Sequence, residues 1–233
     1  MKKTSLLAIV LATCAVLVDA ADTRTLTHNE PVAAIEVLDL DSGIGDVKIT
    51  AREGVDNIAI EVVLTPRRGG FFSSKRQAER AVEEASLRAS SKGNRLVLRI
   101  DPQADEDRRF EERWTIEIPA HIRLILDHGV GDVVISGIAA GLDIDSGVGD
   151  VDVQVLEGDV TIDLGVGTAV VHAPASAFAS AEGSGGVGDA RLTVHGERIS
   201  SGGFVGHSAT WTGDGRHHIE VSVGVGDAVI TLE

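Results

Sequence analysis

Along residues 124–233 apolar and polar residues alternate in short runs that restart on a fixed period. Copies begin at Leu124, Leu142, Val160, Ala181, Ile199 and Ile219, spaced 18 to 21 residues apart. An isolated earlier copy runs from Leu38 to Ile49. Within each copy apolar residues fall at positions one, three, seven, ten and twelve, the alternation of strands with one buried face. The seventh position is always valine (Val130, Val148, Val166, Val187, Val205 and Val225) and the eighth is always glycine. Gly-Val-Gly reads as a tight corner, with its valine expected to point inward. Some 18 residues are too few for a repeat that contains a helix. Successive copies in one orientation favour parallel stacking at about 4.8 Å, so the pattern predicts an all-β parallel β-solenoid, or β-helix, of 18–21 residues per rung.

Upstream of the regular rungs at 124–233 the pattern is looser. Strands are predicted over Val32–Leu40, Val47–Thr50 and Ile58–Leu64. Pro66 to Phe72 breaks them, and Ser73 or Ser74 is placed to cap a helix over about residues 73–91. Its apolar residues Ala78, Val82, Ala85 and Ala89 lie on one narrow face. This helical excursion is expected to lie on the side or the N-terminal end of the coil, where an open sheet edge needs cover. Strands resume at Arg95–Ile100 and Trp114–Ile118. Between them Asp101–Glu112 holds eight charged residues and reads as a solvated loop.

The run Trp114-Thr115-Ile116-Glu117-Ile118-Pro119-Ala120, followed by Leu124-Ile125-Leu126 and then by repeated Gly-Val-Gly-Asp-Val, resembles the putative-adhesin family of bacterial envelope proteins. The resemblance spans residues 32–233. It implies a right-handed β-solenoid, an extracytoplasmic address and an adhesive or envelope-associated role, and it brings no catalytic motif to transfer.

Composition narrows the partners. The chain has 233 residues, 27 glycines, no tyrosine and a formal charge of −15. That acidity disfavours nucleic acid and anionic lipid, which would be repelled. Residues 1–20 carry Lys2 and Lys3, an apolar run from Leu6 to Val18, and Val18-Asp19-Ala20. This is the pattern of a secretory signal peptide cleaved after Ala20, leaving 21–233 as one domain with no transmembrane segment in the mature chain. A periplasmic or secreted protein is expected. Leu11-Ala12-Thr13-Cys14 is a loose lipobox, so a lipoprotein anchored through Cys14 is the lesser alternative. Otherwise the mature chain folds without a disulfide.

The candidate chemistry lies in two acidic columns. Asp127, Asp145 and Asp163 share position four of successive copies, and Asp132 and Asp150 share position nine. Carboxylates about 4.8 Å apart repel by roughly 1 kcal/mol at the dielectric of water, and by roughly 3 to 4 at an effective constant of 20. Something must offset that cost. One offset is calcium, which favours oxygen clusters; the other is hydrogen bonding of each carboxylate to amides of its own turn. Ser184 and Ser222 at position four and Thr168 at position nine keep a capping oxygen without charge, which favours capping and no bound cofactor. Arg67, Arg68, Phe71 and Phe72 form a basic and aromatic loop able to engage an acidic partner or a membrane surface. The histidines share no position in the repeat. Nucleophile elbows, phosphate loops and paired cysteines are absent from the sequence.

These features point to a non-enzymatic, exported, adhesin-like protein that contacts an envelope or surface protein or glycan. Two alternatives stand beside it: a carbohydrate-active β-helix enzyme, and a calcium-stabilised structural module. The end of the last copy, at Leu232 and Glu233, reads as an open edge through which copies of the chain associate end to end.

Overall fold

The computed structural model describes residues 16–18, 23–32, 34–67, 75–101, 110–199 and 207–233. The first elements are β1 (Val16–Val18), β2 (Arg24–Pro31), β3 (Val37–Ile44), β4 (Val47–Arg52), β5 (Asn57–Pro66) and α1 (Lys75–Glu84). There follow β6 (Ser86–Lys92), β7 (Arg95–Asp101), β8 (Phe110–Pro119), β9 (Arg123–Val130), β10 (Val133–Ile138), β11 (Leu142–Val148) and β12 (Val151–Val155). The chain closes with β13 (Val160–Ala173), a 3-10 turn (Ala175–Ala177), β14 (Phe178–Val187), β15 (Ala190–Val194), β16 (Glu197–Ile199), β17 (His207–Thr212) and β18 (His217–Leu232).

Copies of the repeat lie side by side in register. β9, β11 and β13 are parallel neighbours with Leu124, Leu142 and Val160 aligned. The early copy, β3, joins them with Leu38 opposite Leu124. A second parallel run holds the other half of each copy: β4, β10, β12 and the C-terminal half of β13. The inward residues form columns. Leu40, Leu126, Ile144, Ile162 and Val221 align across five strands and are all at most 1% exposed. Each such side chain contributes roughly 1.5–3 kcal/mol relative to exposure.

Strand order then departs from chain order. The last strand, β18, pairs with β13 from Val160–Ile219 through to Ala173–Leu232. β14 and β15 pair with the opposite edge of β18, also in parallel. The last copy is therefore interior, and Leu232 has a partner strand on each side. The open edge expected at Leu232 and Glu233 is absent, and with it the premise for end-to-end association there. Ile199 does not begin a stacked copy; it lies in β16, antiparallel to β15 and opposite Leu192. Val205 of that copy lies outside the described residues.

Antiparallel strands complete the sheet: β2 on β5, β5 on β8, β6 on β7, β14 on β17 and β15 on β16. The whole is a near-closed, barrel-like mixed sheet around one apolar core, not the right-handed parallel β-solenoid expected from the repeat. The physical reason is that periodicity reports which residues face inward and how long each unit is. Pairing direction and strand order are set by what lies between and beyond the copies.

The helical excursion is shorter than expected. α1 ends at Glu84, and Ser86–Lys92, read as the end of a helix over 73–91, is the strand β6. Ala78, Val82 and Ala85 are buried, and α1 packs on β5 and β8. Its last carbonyls are capped from β2, where Arg24 donates to the Val82, Glu83 and Ala85 carbonyls at 3.1, 2.6 and 2.7 Å. A cation there satisfies orphan acceptors and opposes the negative end of the helix dipole. Nor is the segment before Trp114 wholly a loop. β8 begins at Phe110, and Phe110, Glu112, Trp114, Ile116 and Ile118 alternate inward. None of the described helices is long and apolar enough to cross a membrane.

Candidate interaction surface

The Gly-Val-Gly corners build the most regular surface of the molecule, and they build it outward. Val130, Val148, Val166, Val225 and Val187 are 45 to 65% exposed, so the expected inward valine is not found. The preceding residue positions explain this. Position five is the last to enter the core, as at His128, Ser146 and Leu164. Beyond it Gly147, Val148 and Asp150 are all exposed until burial resumes at Val151, so across the corner alternation no longer has an inside. Register places Ile44, Val130, Val148, Val166, Val225 and Val187 in one column across six adjacent strands.

Glycine on both sides of each valine is required by the close stacking of the corners. Gly149 has φ +142°, and a Cβ there would lie 1.9 Å from the Gly131 carbonyl oxygen of the neighbouring strand. A Cβ at Gly147 would lie 2.5 Å from the Gly129 oxygen. No side chain fits at either place, so the valine column stands as a ridge between two bare backbone troughs.

The acidic columns flank this ridge. On one side Asp41, Asp127, Asp145 and Asp163 align, continued by Ser222 and Ser184. Among the described residues no hydrogen bond holds the Asp127, Asp145 or Asp163 carboxylates. A shallow groove of about 420 Å³ runs beside them, lined by Asp145, Gly147, Asp163, Gly165, Ser184 and Ser222. On the other side Asp46, Asp132, Asp150, Thr168, Asp227 and Asp189 follow one another. Here the carboxylates of Asp46, Asp132, Asp150 and Asp227 each reach the next strand rather than their own turn. The Asp150 amide donates to Asp132 Oδ1 at 3.1 Å, the Thr168 amide to Asp150 Oδ1 at 2.9 Å, and the Asp189 amide to Asp227 Oδ1 at 3.0 Å. Capping thus offsets the repulsion along this column, but between copies rather than within one. The guanidinium of Arg191 closes its far end, 2.8 Å from Asp189 and 3.1 Å from Asp227, and holds the Asp189 carboxyl below the usual range.

Asp127, Asp145 and Asp163 therefore form one column and Asp132 and Asp150 another, with the ridge between them. No group of three or more His, Cys, Asp or Glu among the described residues is arranged to hold a metal. Arg67 is described and exposed; Arg68, Phe71 and Phe72 lie outside the described residues, as does Cys14. A second groove, of about 500 Å³, is lined by Asp152, Gln154, Leu156, His172 and Glu233.

Beneath the ridge lies a buried polar row that the charge-rich sequence around it concealed. Ser42, His128 and Ser146 align at position five on β3, β9 and β11, each at most 2% exposed. Glu112, 1% exposed, accepts from Trp114 Nε1 at 2.9 Å, the Gly43 amide at 3.3 Å and Ser42 Oγ at 3.5 Å. Such donors offset much of the cost of burying a carboxylate. Neither ring nitrogen of His128 nor Ser146 Oγ has a hydrogen-bond partner. Burial pushes the His128 pKa down, while the Gly131 backbone and the carboxylates of Asp46, Asp127 and Asp132 pull the other way. The alternation Phe110-Glu112-Trp114 was the available signal for Glu112.

No family model matches the chain, and no curated protein matches it. Among solved structures it is similar to a putative cell adhesion protein from Clostridium sporogenes, with a TM-score of 0.61 and 18% identity over 91% of this chain and 100% of that one. A putative adhesin from Bacteroides fragilis aligns with a TM-score of 0.32 and 13% identity over 88% of this chain and 96% of that one. The first likeness shows a shared fold.

Proposed function

We propose that this chain is an exported, non-enzymatic adhesin-like domain that contacts proteins or glycans of the cell envelope. The observation that carries the reading is the corner surface itself. Apolar and acidic columns repeat strand after strand on a backbone that stacking holds rigid, which is a surface suited to contact. The buried polar groups Glu112 and His128 are sealed beneath it. The fold shared with a protein named for cell adhesion supports the same reading, as does the signal-peptide pattern of residues 1–20.

The test is retention. Beads coated with the purified chain are mixed with envelope fractions of the source organism, and saturable binding that free protein competes away is expected. Absence of such retention, together with turnover of envelope polysaccharide by the same preparation, would replace this reading with an enzymatic one.

A further inference from the structure

We infer that the valine ridge is a docking surface for a cationic amphipathic helix of a partner protein, laid along the stacking direction. This rests on the adhesin-like reading and names the partner class for it. Three observations on the ridge select that occupant.

The first is charge. Carboxylate columns run along both flanks, with Asp127, Asp145 and Asp163 on one and Asp46, Asp132, Asp150, Asp227 and Asp189 on the other. A partner must therefore be apolar along its middle and basic along both edges. A second copy of this chain would bring like columns together, which repel. Anionic lipid is repelled for the same reason.

The second is period. Six apolar residues at strand spacing span roughly 24 Å. An α-helix presents a residue per turn every 5.4 Å, so one apolar residue per turn drifts only ~3 Å from the ridge over that length. An extended strand repeats on one face about every 6.8 Å and falls out of step. The strip between the acidic columns is roughly 24 Å long and at most about 16 Å wide, the extended length of the residues that separate the columns. That suits one helix and is less than half of the ~800 Å² per partner found in a standard protein interface.

The third is the protein's own use of the column. Arg191 seats its guanidinium between the carboxylates of Asp189 and Asp227, at 2.8 and 3.1 Å. Lys or Arg residues on the edges of a docked helix would meet the carboxylates of Asp127, Asp145 and Asp163, which no hydrogen bond among the described residues occupies, in the same way. The glycine troughs beside the valines leave the backbone open to close approach.

The probe is a fluorescent 18-residue Leu/Lys peptide with one leucine stripe, followed by anisotropy against the full chain at low and moderate salt. Val148→Thr/Val166→Thr keeps side-chain shape and strand propensity on exposed positions. It is expected to weaken binding at least tenfold. Asp145→Asn/Asp163→Asn should weaken binding and flatten its salt dependence. Circular dichroism melts confirm that both variants fold. A peptide of the same composition with its leucines scattered around the helix should bind at least tenfold more weakly than the striped one. Equal binding of the scattered peptide, or unchanged binding by the valine variant, would overturn the inference. So would a dimer by sedimentation that the valine variant abolishes, since the occupant would then be a second copy. The envelope-retention assay separates the two readings. Retention that survives Val148→Thr/Val166→Thr removes the ridge from the adhesin-like reading and leaves that reading standing. Peptide binding without retention by the unsubstituted chain leaves the ridge assigned and removes the adhesin-like reading.

Discussion

The backbone amide of Thr168 donates to Asp150 Oδ1 across the gap between adjacent strands, at 2.9 Å. The same link joins Asp150 to Asp132, so a column of like charges is also a chain of charge-assisted hydrogen bonds. Two effects of opposite sign therefore meet in one side chain. Asp150→Ala removes both, while Asp150→Asn removes the repulsion and keeps an acceptor. Asp150→Ala is expected to lower Tm by roughly 2–4 °C. Asp150→Asn should change it by less than half as much, or raise it. Differential scanning calorimetry at low salt reads the difference. Capping offsets the repulsion on this column, and in neither column are three ligating groups among the described residues arranged to hold a metal, so added calcium or chelator should leave the Tm of the unsubstituted chain within about 1 °C; a larger rise with calcium would return the cation-stabilised alternative.

Stacking of the corners makes a second expectation sharper. Gly149 combines φ +142° with a Cβ position 1.9 Å from the Gly131 carbonyl oxygen. Gly54 has φ +73° and open space around its Cβ position. Gly149→Ala must shift backbone as well as adopt an unfavourable angle, for a cost of roughly 3 kcal/mol or more. Gly54→Ala meets only the conformational penalty, about 1 kcal/mol. Urea unfolding of the two variants should separate them by that margin. Equal effects would mean that the corner can relax.

How much of this was legible in the sequence follows from what alternation encodes. Positions one, three, ten and twelve were readable as core because strand geometry forces every second side chain to one face, and Leu126, Ile144, Val151 and Val153 are buried accordingly. Position seven was not, since alternation carries across a straight strand and Val148 sits where the strand bends around the end of the core. Strand order was illegible for a different reason. Ile219 and Ala181 have the same local pattern, and only the segments Glu197–Ile199 and His207–Thr212, which turn aside to pair antiparallel, let β18 enter between β13 and β14. Of the candidate site, the two aspartate columns were visible as spacing, but which amides they serve depends on the neighbouring strand. Glu112 was hidden by the density of charge around it, although its alternation with Phe110 and Trp114 pointed inward.

The interior position of β18 sets a third expectation. In a sequential stack, weakening the last copy would fray one end and leave the rest intact. Here Ile230 is fully buried between Val171 on β13 and Leu192 on β15. Ile230→Ala should cost about 2–5 kcal/mol, and it should shift a single cooperative transition rather than create an early one. Hydrogen exchange offers an independent reading, with amides of β18 among the slowest and those of the edge strands β16 and β17 among the fastest. A separate low-temperature transition in Ile230→Ala would show that β18 is dispensable to the remainder.

The last expectation concerns pH and the buried imidazole under the ridge. His128 is 2% exposed, its ring nitrogens lack partners, and burial lowers its pKa below the ordinary value of 6.5. The native state therefore keeps this ring neutral at pH values where the unfolded chain already binds a proton. By linkage, stability from this site is complete above pH ~6.5 and is lost as pH falls from there toward the lowered native pKa. The repeat itself supplies the control, since Leu164 occupies the same position on the next strand but one. His128→Leu should remove the part of the pH dependence that begins just above the ordinary histidine value and runs down toward the lowered native pKa of His128, leaving the rest of the profile unchanged. Melting curves of the two proteins at half-unit steps in that window give the measurement. Parallel curves for wild type and His128→Leu would mean that the ring takes up its proton alike in the folded and unfolded states, against the lowered native pKa.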